Sequence, residues 1–404
     1  MRARLRVPLL RVIAMVSRPW VGGADLPGEE GRLRILVIRP DHLGDVLFVT
    51  PALRALRAAL PEAHIACLVG PWSAQVVSNN PHLDEVLICP FPGFARQPKK
   101  NVLEPYLLLR SHARALRFKA FDVALVMRFD HWWGAMLAYW AAIPRRIGYD
   151  LPPVTPFLTE RVAYPTGSHE VEQNMRLVTA LLGKTVGQAG PLEFHPQAEA
   201  VRSIRALLGS VDDGRGLLCL HPGAGAPVKL WRPEGFAEVG DSLARKYGLQ
   251  VLITGSANER RLAEEISTRM NARPLVMAGQ TTLDELAALM AQCRLVIGVD
   301  SGPLHLAVSQ GVPTIHLFGP TDHRLFGPWG DTTRHVVITG DMECAPCNRL
   351  DYLPHELLDH PCVRSIPASK VLAVADSLLT SDSDTSERDG IMASDTGLEG
   401  DHVR

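Results

Sequence analysis

Apolar and polar positions follow one repeated pattern along most of this chain. A short unbroken apolar run, typical of a strand buried on both faces of a parallel sheet, is followed by a polar loop and then by a segment with helical apolar spacing. In the first half the runs predict strands over 33–38, 64–69, 84–89 and 121–127, with another beginning at Arg145. Helices are expected through Leu60, near 72–78, and over 105–118, 131–142 and 169–182. Pro51 either kinks the first of these or restarts it with Thr50 as its cap. A Gly-rich connector, 183–190, leads into the second half.

There the rhythm is clearer. Strands are predicted over 217–221, 250–254 and 275–277, with apolar runs from Leu295 and from Pro313. Pro233 opens a helix that Gly248 closes, Glu259 to Met270 forms another, and Thr282 with Glu285 makes a capping box. Alternation of this kind predicts an α/β fold with parallel sheets. At 404 residues the chain is too long for one core, so two domains are expected. The boundaries read as a basic extension 1–31, an N-terminal domain 32–186, a C-terminal domain 187–366, a C-terminal helix 367–380 and a disordered acidic tail 381–404.

Composition narrows the classes. The hydrophobic share of 46% suits an α/β enzyme, and a formal net charge of −1 gives no reason to expect nucleic acid as a partner. Cys67, Cys89, Cys219 and Cys293 lie in apolar runs and read as buried, reduced thiols of a cytoplasmic protein. No apolar stretch is long enough to span a bilayer. The first twenty residues carry Arg2, Arg4, Arg6, Arg11 and Arg18 with no acid. They read equally as a basic amphipathic helix in peripheral contact with the inner membrane, or as an extension outside the fold.

Candidate chemistry sits in the loops after the strands, where open α/β sheets bind ligands. Asp300, Ser301, Gly302 and Pro303 join the run from Leu295 to a helix: Ser301 can cap it, Gly302 permits close approach, and Pro303 suits its first turn. Alone, this would be a helix cap. Three sister loops favour a ligand site: Pro222 to Lys229 with Gly223, Ala224 and Gly225, the loop ending at Glu259, and the loop of Thr281. The first has neither the P-loop nor the dinucleotide spacing, leaving a backbone cradle with one cation, Lys229, enough for a diphosphate. Glu259 could accept from ribose hydroxyls. Asp45, beside Gly44 after the first strand, reads on position alone as a dipole partner more than a catalyst.

A one-sided basic region, Arg96, Lys99, Lys100, Arg110, Arg114, Arg117 and Lys119 against Glu104, suggests an anionic partner. Arg110, Arg114 and Arg117 would share one helix face. No His, Asp or Cys cluster on the site loops has metal-ligand spacing. Asp382 and Asp384 sit in the acidic tail and are dismissed. Cys344, Cys347 and Cys362 with His355 and His360 read as a zinc knuckle or, somewhat better, as a metal-free loop.

Leu36 to Leu47 with Pro51-Ala-Leu53, His221-Pro-Gly-Ala-Gly with Lys229 and Trp231, and Gly298 to His305 with Phe318-Gly-Pro-Thr-Asp322 together resemble glycosyltransferase family 9, the ADP-heptose:lipopolysaccharide heptosyltransferases. The resemblance spans roughly residues 33–375. It implies a GT-B fold, two Rossmann-like domains with parallel sheets facing across a cleft that closes during turnover. It also implies an inverting, metal-independent transfer with no cofactor.

Carried onto this chain, the resemblance makes Asp45 the general base, Lys229 the diphosphate lysine and Asp300 the acid at the donor sugar. Gly223, Ala224, Gly225, Ser301, Gly302 and His305 surround phosphate and sugar, and Glu259 and Thr281 fall near ribose and adenine. The basic region would face an acidic glycolipid acceptor, with Arg110, Arg114 and Arg117 as its contacts. The extension, the acidic tail and Trp132-Trp133, placed at the cleft, depart from the family pattern. Competing readings are a family member using another nucleotide sugar, a nucleotide-sugar epimerase, which would need no basic acceptor surface, and a silent scaffold.

Overall fold

A computed structural model describes residues 2–21, 32–94, 103–209 and 215–380. Arg96, Lys99, Lys100, the segment 22–31 and the tail 381–404 with Asp382 and Asp384 lie outside the described residues, as do the side chains of Arg2, Arg4 and Arg18. The chain divides into two units, Met1–His195 with Arg324–Phe326, and Pro196–His323 with Gly327–Arg404.

In the first unit the strands are β1 (Arg34–Arg39), β2 (His64–Val69), β3 (Glu85–Ile88), β4 (Val123–Val126), β5 (Arg145–Tyr149) and β6 (Glu160–Val162). Its helices are α1 (Arg2–Val21), α2 (Leu43–Leu47), α3 (Thr50–Ala59), α4 (Ala74–Val77), α5 (Glu104–Phe118), α6 (Trp132–Trp140) and α7 (Glu170–Leu182). The strands form one six-stranded sheet in the order β3-β2-β1-β4-β5-β6, with every pairing parallel.

Ile35, Leu36, Val37 and Ile38 of β1 are fully buried, which explains the unbroken apolar run. Each such side chain contributes about 1.5–3 kcal/mol by leaving water. Leu36, Ile38, Ala124 and Val126 share one core with Leu109 of α5, Trp133 of α6 and Leu10 of α1, so these helices cover the same face of the sheet.

Two expectations are corrected here. Thr50 begins α3 but does not cap it: the N-cap is Val49, and the Thr50 hydroxyl donates to the Leu47 carbonyl at 2.7 Å. Trp133 belongs to the core, 2% exposed, its indole donating to the Pro105 carbonyl at 3.3 Å, and the Arg6 guanidinium of α1 lies 6.0 Å from the Trp132 ring. An indole inside the α5–α6 seam is packing.

The second unit contains α8 (Ala198–Gly209), β7 (Leu217–His221), α9 (Pro233–Tyr247), β8 (Gln250–Ile253), α10 (Arg260–Arg269), β9 (Leu275–Val276) and α11 (Leu283–Met290). They are followed by β10 (Cys293–Val299), α12 (Gly302–Ser309), β11 (Thr314–Phe318), β12 (His335–Thr339) and α14 (368–380), while α13 (His323–Phe326), between β11 and β12, counts with the first unit in all but its first residue. The sheet order is β12-β11-β10-β7-β8-β9. Counted from β7, this is the same strand order as in the first unit, again all parallel. Gly298 is required where β10 meets β7, because a Cβ there would stand 2.5 Å from the His221 carbonyl oxygen.

Gly248 ends α9 in the left-handed region at φ 65°, as its position predicts. Val371, Ala375 and Leu379 of α14 complete this unit's core. In each sheet the order reverses direction beside the first strand, between β1 and β4 and between β7 and β10. A ligand site in a doubly wound sheet sits outside the carboxyl ends of those strands.

Candidate active site

In the first unit the loops after β1 and β4 carry a buried charge cluster. Arg39, the last residue of β1, is 1% exposed, and its guanidinium lies 2.7 Å from Asp41, 2.9 Å from Glu170 and 3.9 Å from Asp45. It also donates to the Met127 carbonyl at 3.3 Å. Arg128 pairs with Asp41 and, at 2.6 Å, with Asp130. Burial is the largest single influence on both Arg39 and Asp41 and opposes their charge, but the opposite charges together outweigh it: Asp41, Glu170 and Asp45 raise Arg39, and Arg39 and Arg128 lower Asp41 from its ordinary value. His131, buried beside them, is pushed down to about 3 by desolvation and stays neutral.

Asp45 is the member of the cluster held least firmly. It lies in the first turn of α2, its side chain is 32% exposed, and its ion pair with Arg39 is the longest of the three. Protein around the carboxylate desolvates it, and Asp41 and Glu170 repel its charge. Arg39 and Arg128 only partly offset this, and Asp45 is raised to about 7. A carboxylate poised near neutrality with one open side can accept a proton.

In the second unit the loops after β7, β8, β9 and β10 meet. Lys229 follows the cradle of Gly223, Ala224 and Gly225, and its ammonium lies 2.7 Å from the Asp300 carboxylate at the end of β10. Both side chains are largely buried, at 15% and 8% exposure. Glu259 packs over Gly223, where a Cβ would come within 2.1 Å of Oε1. Its Oε2 accepts from the Ser256 amide at 2.6 Å and hydroxyl at 2.8 Å, which fixes the side chain. The Gly279 amide donates to the Gly255 carbonyl at 2.8 Å, joining the loop of Thr281 to that of Glu259. Thr281 itself is half-buried and stands just before the expected capping box, in which the Glu285 amide donates to Thr282 at 3.2 Å.

Ser301 is the N-cap residue of α12, but it makes no capping hydrogen bond. Its buried hydroxyl has no hydrogen-bond partner among the described residues, so the expected cap is absent. Gly302 opens the helix, and His305 is buried with its ring 5.6 Å from that of His316. His221 contacts the Thr254 hydroxyl at 3.0 Å, and burial lowers it to about 4. The cluster offers backbone donors, one ammonium and a carboxylate, the set needed to hold a diphosphate and a hydroxylated sugar.

With this geometry established, comparison with known proteins gives the family. Residues 109–353, more than half of the chain, match the model of glycosyltransferase family 9 (heptosyltransferase). The chain belongs to glycosyltransferase family 9. Among the relatives of this family 9 transferase, lipopolysaccharide heptosyltransferase 3 of Escherichia coli strain K12 is 27% identical over 364 residues, 85% of this chain and 98% of that protein. Lipopolysaccharide heptosyltransferase 2 of the same strain is 27% identical over 334 residues, 76% of this chain and 89% of its own length. Among solved structures, a family 9 transferase from Veillonella parvula DSM 2008 superposes with a TM-score of 0.74 at 26% identity, covering 88% of this chain and all of that one. The E. coli ADP-heptose lps heptosyltransferase II superposes at 0.70 with 22% identity, over 87% of this chain and all of its own. The fold is of the GT-B class.

On α5 of the family 9 transferase, Arg110 and Arg114 are exposed, whereas half-buried Arg117 donates to the Trp140 carbonyl at 3.1 Å. The seven cysteines are free thiols. Cys347 contacts the Tyr352 hydroxyl at 3.4 Å, and Cys362 faces the His360 carbonyl at 3.7 Å. Among the described residues no group of three or more His, Cys, Asp or Glu side chains is placed to hold a metal ion.

On sequence alone no role is assigned to Arg39 and Asp41, which lie within the first motif, or to Arg128 and Glu170. The available signal was Arg39 itself, a charge ending a fully apolar strand, which needs buried partners. One prediction follows from the cradle. Gly223→Ala should weaken nucleotide binding about tenfold by displacing Glu259 and closing the approach to the backbone donors. Calorimetry with the nucleotide checks it, and unchanged affinity would remove Gly223 from the site.

Proposed function

We propose that this transferase moves a heptose from ADP-heptose to an anionic glycolipid of the lipopolysaccharide-core type, by one inverting displacement that needs no metal. The observation that carries this reading is the Lys229–Asp300 pair at the switch point of the second sheet. The names of the relatives support the donor and the acceptor class.

Asp45 takes the acceptor hydroxyl proton as that oxygen bonds to the anomeric carbon. The bond from that carbon to the diphosphate oxygen breaks, and its electron pair leaves with ADP. Lys229 and the amides of Gly223, Ala224, Gly225 and Gly302 stabilise the charge developing on the diphosphate, the part a metal plays in other transferases. Asp300, Ser301 and His305 hold the sugar, Glu259 accepts from the ribose through Oε1, and Thr281 lies at the adenine. Glu170 and Asp41 act through Asp45 as positioning residues that keep its proton affinity high.

The reaction takes place in the cytoplasm, at the cytoplasmic face of the inner membrane where such an acceptor is exposed. Titration calorimetry with ADP, UDP, GDP and CDP, with and without magnesium, tests the donor. Selective ADP binding that magnesium leaves unchanged is expected. Preference for another nucleotide would replace the donor, and no binding would leave a scaffold. Arg110→Gln with Arg114→Gln should raise the acceptor KM about tenfold and leave the donor KM unchanged. Steady-state kinetics with each substrate varied decides it, and an unchanged acceptor KM returns α5 to a solvated face.

A further inference from the structure

We propose that α1 is an in-plane docking helix, whose outer face rests on an anionic phospholipid surface. The helix is seated on the first unit, not loose. Leu10 is 3% exposed in the unit's core, Ile13 and Ala14 pack against the same cluster, and the Tyr139 hydroxyl of α6 donates to the Ala14 carbonyl at 2.9 Å. Its opposite face is apolar and open: Leu9 is 54% exposed, Val12 53%, Met15 72% and Val16 66%. Positions 9, 12 and 16 recur at helical spacing, so these side chains form one stripe.

Apolar side chains this exposed, on a helix already anchored by its other face, are unusual for a surface that meets only water. Arg6 and Arg11 are exposed on the same helix, and its sequence contains no acidic residue. Apolar side chains for the acyl boundary, together with cations for phosphate headgroups, are what an interfacial helix requires. No described helix is long and apolar enough to cross a membrane, so α1 lies on the surface.

A neighbouring element has the same character. α5 covers the same sheet face and packs on the same α6, and it exposes Leu107 at 66% and Tyr106 at 42%, with Leu103 at 61% preceding it. Its only acid is Glu104. The inference rests on the proposed acceptor only for its purpose, since a transferase whose acceptor is a lipid gains by concentrating at the bilayer. Its physical basis is the face of α1.

The test is vesicle flotation of the full-length protein without substrates, so it can fail separately from the functional reading. Binding is expected to phosphatidylethanolamine vesicles containing phosphatidylglycerol, weakening as salt is raised, with little binding to phosphatidylcholine. Val12→Glu with Met15→Glu should lower the partition coefficient more than about tenfold, and Arg6→Gln with Arg11→Gln about tenfold. All four positions are exposed, so folding should persist, which circular dichroism and ADP affinity verify. Three results would overturn the proposal. One is absence of wild-type flotation with anionic vesicles at low salt. The second is undiminished flotation of the Val12→Glu, Met15→Glu protein. The third is a wild-type dimer that these substitutions split without any vesicle binding, which would assign the face to a second copy of the chain.

Discussion

Asp45→Asn is expected to lower kcat for transfer by roughly a thousandfold, within the range that general-base catalysis supplies. ADP affinity should stay at its wild-type value, because the groups proposed for the nucleotide all lie in the second unit. The amide keeps the size of the carboxylate and cannot take the proton. In the wild type the carboxylate must be ionised to act, so kcat/KM should rise with pH along an acid limb centred near 7. The variant's residual activity should lack that limb.

Stability gives an independent reading with the opposite sign. An acid raised in the folded state binds more protons there than in the unfolded chain, so stability falls as pH rises from its ordinary value of 3.8 through about 7. Asp45→Asn should therefore melt higher than wild type at pH 8, with the difference shrinking as pH falls below about 7 and gone near 3.8. An inactive but more stable variant would mark a residue kept for chemistry. A variant both active and unchanged in melting temperature would remove Asp45 from the mechanism.

Lys229→Ala is expected to lower kcat by about a hundredfold to a thousandfold, the cost of losing one preorganised charge at the leaving group. It should also destabilise the second unit by about 3–5 kcal/mol, because it leaves the largely buried Asp300 carboxylate without its partner. The two effects separate in the double variant. Adding Asp300→Asn should restore most of the melting temperature and none of the activity. Recovery of activity with stability would make the pair structural only. Lys229→Arg should keep the fold and restore only part of the rate, since a planar guanidinium does not replace a compact ammonium.

Local signals made the fold legible. Apolar runs such as Ile35 to Ile38, Pro233 opening its helix, Gly248 after it and the Thr282–Glu285 box each report on residues a few positions apart, and each recurs in the structure. The residue content of the second site was legible because a loop after a parallel strand opens at the sheet mouth whatever its partner. The environment of Asp45 was not. It depends on Glu170 at the start of α7 and Arg128 after β4, which the strand order brings beside Arg39, and neither has a local mark. Read locally, Glu170 is a favourable charge in a first helical turn. Trp133 misled for the same reason, since an aromatic pair opening a helix does not show which ring enters the core. Ser301 has the sequence and the extended backbone of a cap, yet its hydroxyl makes no capping hydrogen bond.

The most direct test is to incubate the protein with ADP-heptose and a phosphorylated core glycolipid in EDTA, following ADP release together with the mass and anomeric configuration of the product. One heptose added per ADP released is expected, with configuration inverted, a rate that EDTA leaves unchanged, and loss of turnover in Asp45→Asn. No turnover of ADP-heptose beside turnover of another nucleotide sugar would contradict the proposed transfer, as would retention of configuration or a rate abolished by EDTA.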